Sequence, residues 1–143
     1  MRDDEGWGPL PEAPTVGEPG ASGGIQSFED LRVWQEAVAL CERVYAVTRS
    51  FPDDERFGLT SQLRRATVSV SSNIAEGWGR GSRSDYARFL RIARGSLFEV
   101  KTQLVIAERV GFLTPKASGE AQRHVDQVRR MLHGLVRSLE RSA

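Results

Sequence analysis

The sequence of 143 residues lacks the features that mark several large classes of protein. Its single cysteine, Cys41, cannot form an internal disulfide, which is consistent with a reducing compartment. No apolar run approaches the roughly 18 residues that a membrane-spanning helix needs, and the N-terminal stretch has no apolar signal-peptide core. These absences predict a cytoplasmic protein that does not span a membrane.

Catalytic and metal-binding motifs are also absent from the sequence. There is no phosphate-binding P-loop and no zinc-binding HExxH pattern. The two histidines, His124 and His133, are nine positions apart on a predicted helix, which puts them on opposite faces and prevents them from sharing a metal. We therefore predict a non-enzymatic protein with no cofactor and no metal. An enzyme whose site is shared between subunits is the remaining alternative.

Composition divides the chain into two parts. Residues 1–27 contain four of the six prolines, six of the fourteen glycines and a net charge of −4, with no apolar periodicity. Such a segment cannot bury enough surface to offset the entropy of ordering it. We predict a disordered acidic tail over 1–27 and one folded domain over 28–143.

The folded part carries four amphipathic patterns with the 3.6-residue period of helices. The first begins near Ser27, which fits a capping box with Asp30, and ends before Pro52. The second spans roughly 54–76 with Gly77 as its C′ residue, and the third roughly 83–110. The fourth opens at Thr114, the N-cap residue, followed by a proline. Short connections then predict an all-α, antiparallel, up-down-up-down four-helix bundle.

The predicted helices carry more apolar surface than one core requires. Helix 1 has two apolar stripes offset by one residue, about 100° around its axis, and helix 3 has apolar residues off its main seam. The surplus indicates a second buried surface, most simply between subunits of a homo-oligomer. The predicted interface residues are Val33, Leu40, Val44, Ile92, Phe98 and Ile106.

Positive charge is concentrated in the middle of the chain. Residues 56–101 hold nine basic and three acidic residues, a net of +6. A basic surface of this kind attracts the phosphates of RNA or DNA, although it also suits an acidic protein partner or a solvated helix face. The glycine-rich stretch 77–82 fits either an anion site at a helix N-terminus or, as we favour, a tight interhelical turn. The candidate nucleic-acid-binding residues are Arg64, Arg65, Arg80, Arg83, Arg88, Arg91, Arg94 and Lys101.

Several dispersed blocks resemble one known family. The blocks are FEDLRVWQ at 28–35, FP at 51–52, QLRRA at 62–66, SNIAEG at 72–77 and RFLRIARGSL at 88–97. In this order they resemble the bacterial four-helix bundle proteins, also called ribosomal-RNA intervening-sequence or S23-type proteins. The resemblance covers roughly 28–140, and the segment 1–27 has no counterpart in it.

The resemblance implies a homopentamer of four-helix bundles. It also implies kinship with the accessory variability protein of diversity-generating retroelements, a basic pentamer that binds nucleic acid and partners a reverse transcriptase. The resulting expectation is a non-catalytic oligomer that binds RNA or DNA with little sequence preference, and more specifically an accessory subunit of a reverse transcriptase. The alternative is a protein-binding assembly scaffold whose arginines pair with acids across subunits.

Overall fold

The computed structural model describes residues 24–142, so the predicted tail lies outside the described residues except for positions 24–27. Within the described part there are four α-helices and no strand. The helices are α1 (Arg32–Thr48), α2 (Leu59–Gly79), α3 (Arg83–Arg109) and α4 (Pro115–Ser142). Two one-turn 3-10 helices, Phe28–Asp30 and Asp53–Glu55, precede α1 and α2. None of the described helices has an apolar stretch long enough to cross a bilayer.

The capping box at Ser27 is confirmed, but it opens a 3-10 turn and not α1 itself. The Ser27 hydroxyl accepts a hydrogen bond from the Glu29 backbone N–H at 3.1 Å, and the Asp30 carboxylate accepts one from the Ser27 N–H at 3.3 Å. Leu31 is then extended, with its side chain buried, and α1 begins one residue later. Ile25, within the predicted tail, is partly buried and packs against the core.

The prediction that Gly77 ends α2 was wrong. The helix continues to Gly79, and the residue with a positive φ is Gly81, at 85°. Gly77 is buried within the helix, where an added Cβ would lie 2.7 Å from the Phe89 Cβ. Its missing side chain therefore allows α2 and α3 to approach closely, and within the stretch 77–82 the first three residues are helix and the last three form the turn.

The turn between α3 and α4 matches the sequence prediction. Gly111 has a φ of 89°, which L-residues with side chains rarely adopt, and it follows the end of α3 directly after Val110. The Thr114 hydroxyl accepts a hydrogen bond from the Ala117 N–H at 3.1 Å, and Pro115 is the first residue of α4. The sequence signals for helix ends are therefore reliable at this connection.

One continuous hydrophobic core receives side chains from all four helices. On α1 it receives Val33, Leu40 and Val44, which are 0–1% exposed. Their assignment to a subunit interface was wrong, because side chains that are fully covered within one chain cannot contact another. The second stripe of α1 is covered only in part: Leu31 is buried, whereas Tyr45 is 38% exposed, with its ring 4.6 Å from the Arg64 guanidinium of α2.

Each helix packs against two others: α2 contacts α1 and α3, and α4 contacts α3 and α1. Two side-chain hydrogen bonds join α2 to α3, from Ser69 to Ser96 at 2.9 Å and from Gln103 to Gln62 at 3.4 Å. Ion pairs join α3 to α4, from Lys101 to Asp126 and from Arg91 to Glu140. The four helices therefore surround the core as a ring of neighbours.

Candidate nucleic-acid interface

Arg64 ties α2 to α1. Its Nε–H donates to the Thr48 hydroxyl at 2.9 Å, and that buried hydroxyl donates in turn to the Val44 carbonyl at 2.7 Å. Its guanidinium also stacks on Tyr45. A side chain held by two residues of α1 serves first to join the two helices, so Arg64 is the weakest of the predicted phosphate ligands.

Arg80 and Arg88 flank one aromatic ring at the α2–α3 turn. Their guanidinium carbons lie 4.9 and 4.5 Å from the Phe89 ring centroid. Arg80 also pairs with Glu76 at 3.3 Å, and Arg88 with Asp85 at 3.5 Å. Both arginine side chains are about half exposed, at 47% and 56%. They are therefore oriented by the fold, yet still reachable by an anion.

Arg91 and Lys101 lie between α3 and α4. Arg91 pairs with Glu140, and Lys101 pairs with Asp126 at 3.4 Å. The same Asp126 carboxylate lies 3.6 Å from the Nε of Arg129, so one acid is shared by two cations. These ion pairs set three cations against two carboxylates, which leaves an excess of one positive charge between α3 and α4.

Three of the predicted arginines have no carboxylate partner within residues 24–142. Arg65 is exposed and lines a groove of about 350 Å³ between α2 and α3, together with Glu99 and Gln103. Arg94 is half-buried on α3. Arg83 is half-buried, and its Nη1 is covered with no hydrogen-bond partner in the described part of the chain. Unneutralised guanidinium groups of this kind are the strongest available phosphate ligands.

The predicted residues therefore do not form one face, and the sequence analysis missed the cations of α4. That helix carries six basic residues and three acidic ones. Arg130 and Arg137 are exposed, lie seven residues apart on one side of the helix, and make no ion pair with a described residue. A helical projection of α4 would have revealed them, but the charge count stopped at residue 101.

The outward face of α3 is partly apolar. Ile92, Phe98 and Ile106, all predicted interface residues, are 43–47% exposed, and Val105 adds to them at 36%. Their exposure on one chain is compatible with the predicted contact between subunits. That contact stays a prediction, because the structure contains one chain.

Within residues 24–142 no three histidine, cysteine or acidic side chains are grouped as metal ligands would be. His133 is exposed, whereas the His124 side chain is only 11% exposed and bonds to Glu36. Cys41 is half-buried on α1, and its burial, followed by the nearby charge of Glu42, raises the pKa of its thiol above 9.0. A thiol of this kind is mostly in its unreactive protonated form.

Comparison with known proteins agrees with this architecture. The family model of the 23S rRNA-intervening sequence protein matches residues 29–134, which is most of the chain. The chain belongs to the 23S rRNA-intervening sequence protein family. The predicted family is thereby confirmed, while the relation to retroelement proteins stays a prediction.

A solved structure shows the same fold as this member of the family. It is the crystal structure of a protein of unknown function from the S23 ribosomal protein family of Bacteroides thetaiotaomicron VPI-5482. The two chains are 19% identical and superpose with a TM-score of 0.68, over 73% of this chain and 97% of the other. No curated protein matches the sequence. The likeness therefore establishes the fold and leaves function to be argued from the surface.

Proposed function

We propose that this protein is a non-catalytic cytoplasmic homo-oligomer that binds RNA or DNA through phosphate contacts, with little sequence preference. The observation that carries the proposal is a set of five arginines on α2, α3 and α4 that pair with no carboxylate of the described residues: Arg65, Arg83, Arg94, Arg130 and Arg137. Each phosphate bound by such a group releases a counterion, which favours binding at low salt. The described surface offers no projecting helix suited to reading bases in a groove.

The assembly we propose is a pentamer of antiparallel, up-down-up-down bundles. The cross-helix bonds support the antiparallel part: residue numbers rise along α2, from Gln62 to Ser69, as they fall along α3, from Gln103 to Ser96. The pentamer follows from the family resemblance. Oligomerisation would repeat a modest basic surface around a ring, and such multivalency raises affinity without new contacts.

A filter-binding titration with single-stranded RNA and DNA at low and moderate salt tests the proposal. The informative variant is Arg65→Ala/Arg94→Ala/Arg130→Ala, because these cations make no ion pair within the described residues. We expect binding that weakens steeply with salt and is lost in this variant. A charge-matched control, Arg49→Ala/Arg109→Ala/Lys116→Ala, removes exposed cations near the ends of α1 and α3 and the start of α4. Equal binding by both variants, or no binding at low salt, would contradict the proposal.

The second candidate function is a protein-binding assembly scaffold. The exposed apolar side chains of α3 favour it, since Ile92, Phe98 and Ile106 suit a protein contact better than a phosphate. In the more specific form that the resemblance implies, the partner is a reverse transcriptase and the chain is its accessory subunit. Copurification with a reverse transcriptase encoded beside this gene would support that form.

A further inference from the structure

A groove of about 470 Å³ lies between α1 and α4, and the α2–α3 cations discussed above take no part in it. The groove is open to solvent and large enough to hold a small molecule. Every side chain that lines it is charged or polar: Glu36 and Arg43 from α1, and Glu120, Arg123, His124 and Gln127 from α4. Neither the family assignment nor the proposed function uses these residues.

The base of the groove is a fixed polar chain. Arg43 donates its Nε–H to His124 Nδ1 at 3.1 Å, so Nδ1 is unprotonated. The ring proton of the neutral imidazole is therefore on Nε2, which donates to a Glu36 carboxylate oxygen at 3.1 Å. His124 is largely buried, so its ring holds the Arg43 guanidinium in a fixed orientation. The bond uses only the Nε–H of Arg43, so the terminal N–H groups of the guanidinium can donate to another partner.

Three charged groups of the groove remain unneutralised. Arg43, Arg123 and Glu120 make no ion pair with any residue of 24–142, although all three line one groove. The Arg123 side chain folds back along α4, where its Nη1 would lie 3.5 Å from a Cβ added to Gly119. The groove thus presents two guanidinium groups from opposite helices and one carboxylate, without internal pairing.

This arrangement points to a ligand that carries both signs of charge. We propose that the groove binds a small zwitterion of the free amino-acid class, with its carboxylate between Arg43 and Arg123 and its ammonium at Glu120. Guanidinium groups bind carboxylates through paired, charge-assisted hydrogen bonds. The lining has equal numbers of cations and carboxylates with His124 neutral, so a polyanion would meet Glu36 and Glu120 as repulsive neighbours. The groove is therefore a separate site from the nucleic-acid surface.

Titration of the full chain with L-glutamine and glycine, followed by amide NMR shifts and calorimetry, tests this inference. L-glutamine has an uncharged side chain, so its two termini alone carry charge. N-acetyl-L-glutamine lacks the ammonium and L-glutaminamide lacks the carboxylate. We expect saturable shifts across residues 120–127 with L-glutamine, and affinities at least about tenfold weaker for both analogues. Absence of saturable shifts with both amino acids would overturn the proposal.

Variants assign the two ends of the ligand. Arg123→Gln should weaken the binding of L-glutamine about tenfold or more. Glu120→Gln should weaken the binding of L-glutamine but not that of N-acetyl-L-glutamine. The Arg123 side chain makes no hydrogen bond with a described residue, so its variant should fold normally, whereas Arg43→Gln also disturbs His124. Arg49→Gln, which changes an exposed arginine directly after α1 and outside the groove, is the matched control. Unchanged affinity in Arg123→Gln, or the same shifts produced by single-stranded RNA, would refute a dedicated zwitterion site.

Discussion

Two adjacent arginines show how differently similar side chains act in this fold. Arg64 stacks on Tyr45 and donates to the Thr48 hydroxyl, whereas Arg65 is exposed and unpaired among the described residues. Sequence alone ranked them equally, because a basic residue has the same charge wherever it points. Only the packing of α2 against α1 separates them.

We therefore expect opposite outcomes for Arg64→Ala and Arg65→Ala. Losing the stacking contact and the hydrogen bond to a buried hydroxyl should cost Arg64→Ala about 1–2 kcal/mol of unfolding free energy. Arg65→Ala should change stability by less than about 0.5 kcal/mol, as surface substitutions usually do, while weakening nucleic-acid binding. Urea unfolding measures the stability of the two variants, and filter binding measures their affinity for nucleic acid. Equal losses of stability would show that the contacts of Arg64 with Tyr45 and Thr48 stabilise the fold no more than an exposed side chain does.

The raised pKa of the Cys41 thiol predicts how the stability of the fold changes at alkaline pH. Burial, then Glu42, raise its pKa in the folded chain above 9.0, so the native state keeps a proton that the unfolded state releases. The stability that the protonated thiol contributes is fully present below the pKa of Cys41 in the unfolded chain. It is lost as the pH rises through the pKa of Cys41 in the folded chain. We expect wild type to lose more stability than Cys41→Ala when unfolding is measured below and above pH 9.0. Parallel losses would mean that other groups cause the alkaline change.

Among the elements, helix ends were predicted best where a single side chain determines them. The Ser82 hydroxyl accepts a hydrogen bond from the Asp85 N–H at 3.1 Å and so caps the start of α3. We expect Ser82→Ala to lose about 1 kcal/mol of stability, because an N-cap bond satisfies an otherwise unpaired backbone donor. Ser84→Ala, two residues on and exposed, is the control and should be nearly neutral in a thermal-unfolding series.

The end of α2 was predicted wrongly for a physical reason. Gly77, Gly79 and Gly81 alternate, and a sequence pattern does not show which of them has the positive φ and which has no room for a side chain. That distinction depends on α3, since the Phe89 Cβ and the Tyr86 ring fill the space beside Gly77. A glycine inside a helix is thus explained by a contact with a residue nine or more positions away.

The contact predicts opposite signs for two helical glycines. Gly77→Ala would place a Cβ 2.7 Å from the Phe89 Cβ, so we expect a loss of about 1–3 kcal/mol through overpacking. Gly95→Ala meets nothing within 4 Å and should be neutral or stabilising by up to about 1 kcal/mol, since alanine is the better helix former. Thermal unfolding of both variants measures these changes in stability. A Gly77→Ala protein as stable as wild type would show that α2 and α3 can move apart at little cost.

At the scale of the whole molecule, the four helices and their order followed from periodicity, but the surface available to a partner did not. Two apolar stripes on α1 look equivalent in a helical projection, and each satisfies the same spacing. In the fold both are used, because α1 contacts α2 and α4 as well as the shared core. The period of apolar residues in a sequence shows how many apolar faces a helix has, but not how many neighbouring helices cover those faces. Tyr45 and Val68 stay partly exposed on α1 and α2, but the largest group of exposed apolar side chains forms a face of α3.

The prediction of assembly now depends on that face alone. Exposed Ile92, Phe98, Val105 and Ile106 on one helix would be an aggregation risk for a free monomer, and their burial against another subunit removes it. We expect light scattering of wild type at micromolar concentration to give a multiple of the 15.9 kDa chain mass.

Phe98→Glu/Ile106→Glu should lower that mass with unchanged helical circular dichroism, because a buried carboxylate without a partner opposes association. Phe57→Glu, which alters the 86% exposed ring between α1 and α2, should leave the mass unchanged. A wild-type mass of 15.9 kDa would exclude stable assembly under those conditions, and a drop in Phe57→Glu alone would move the interface away from α3.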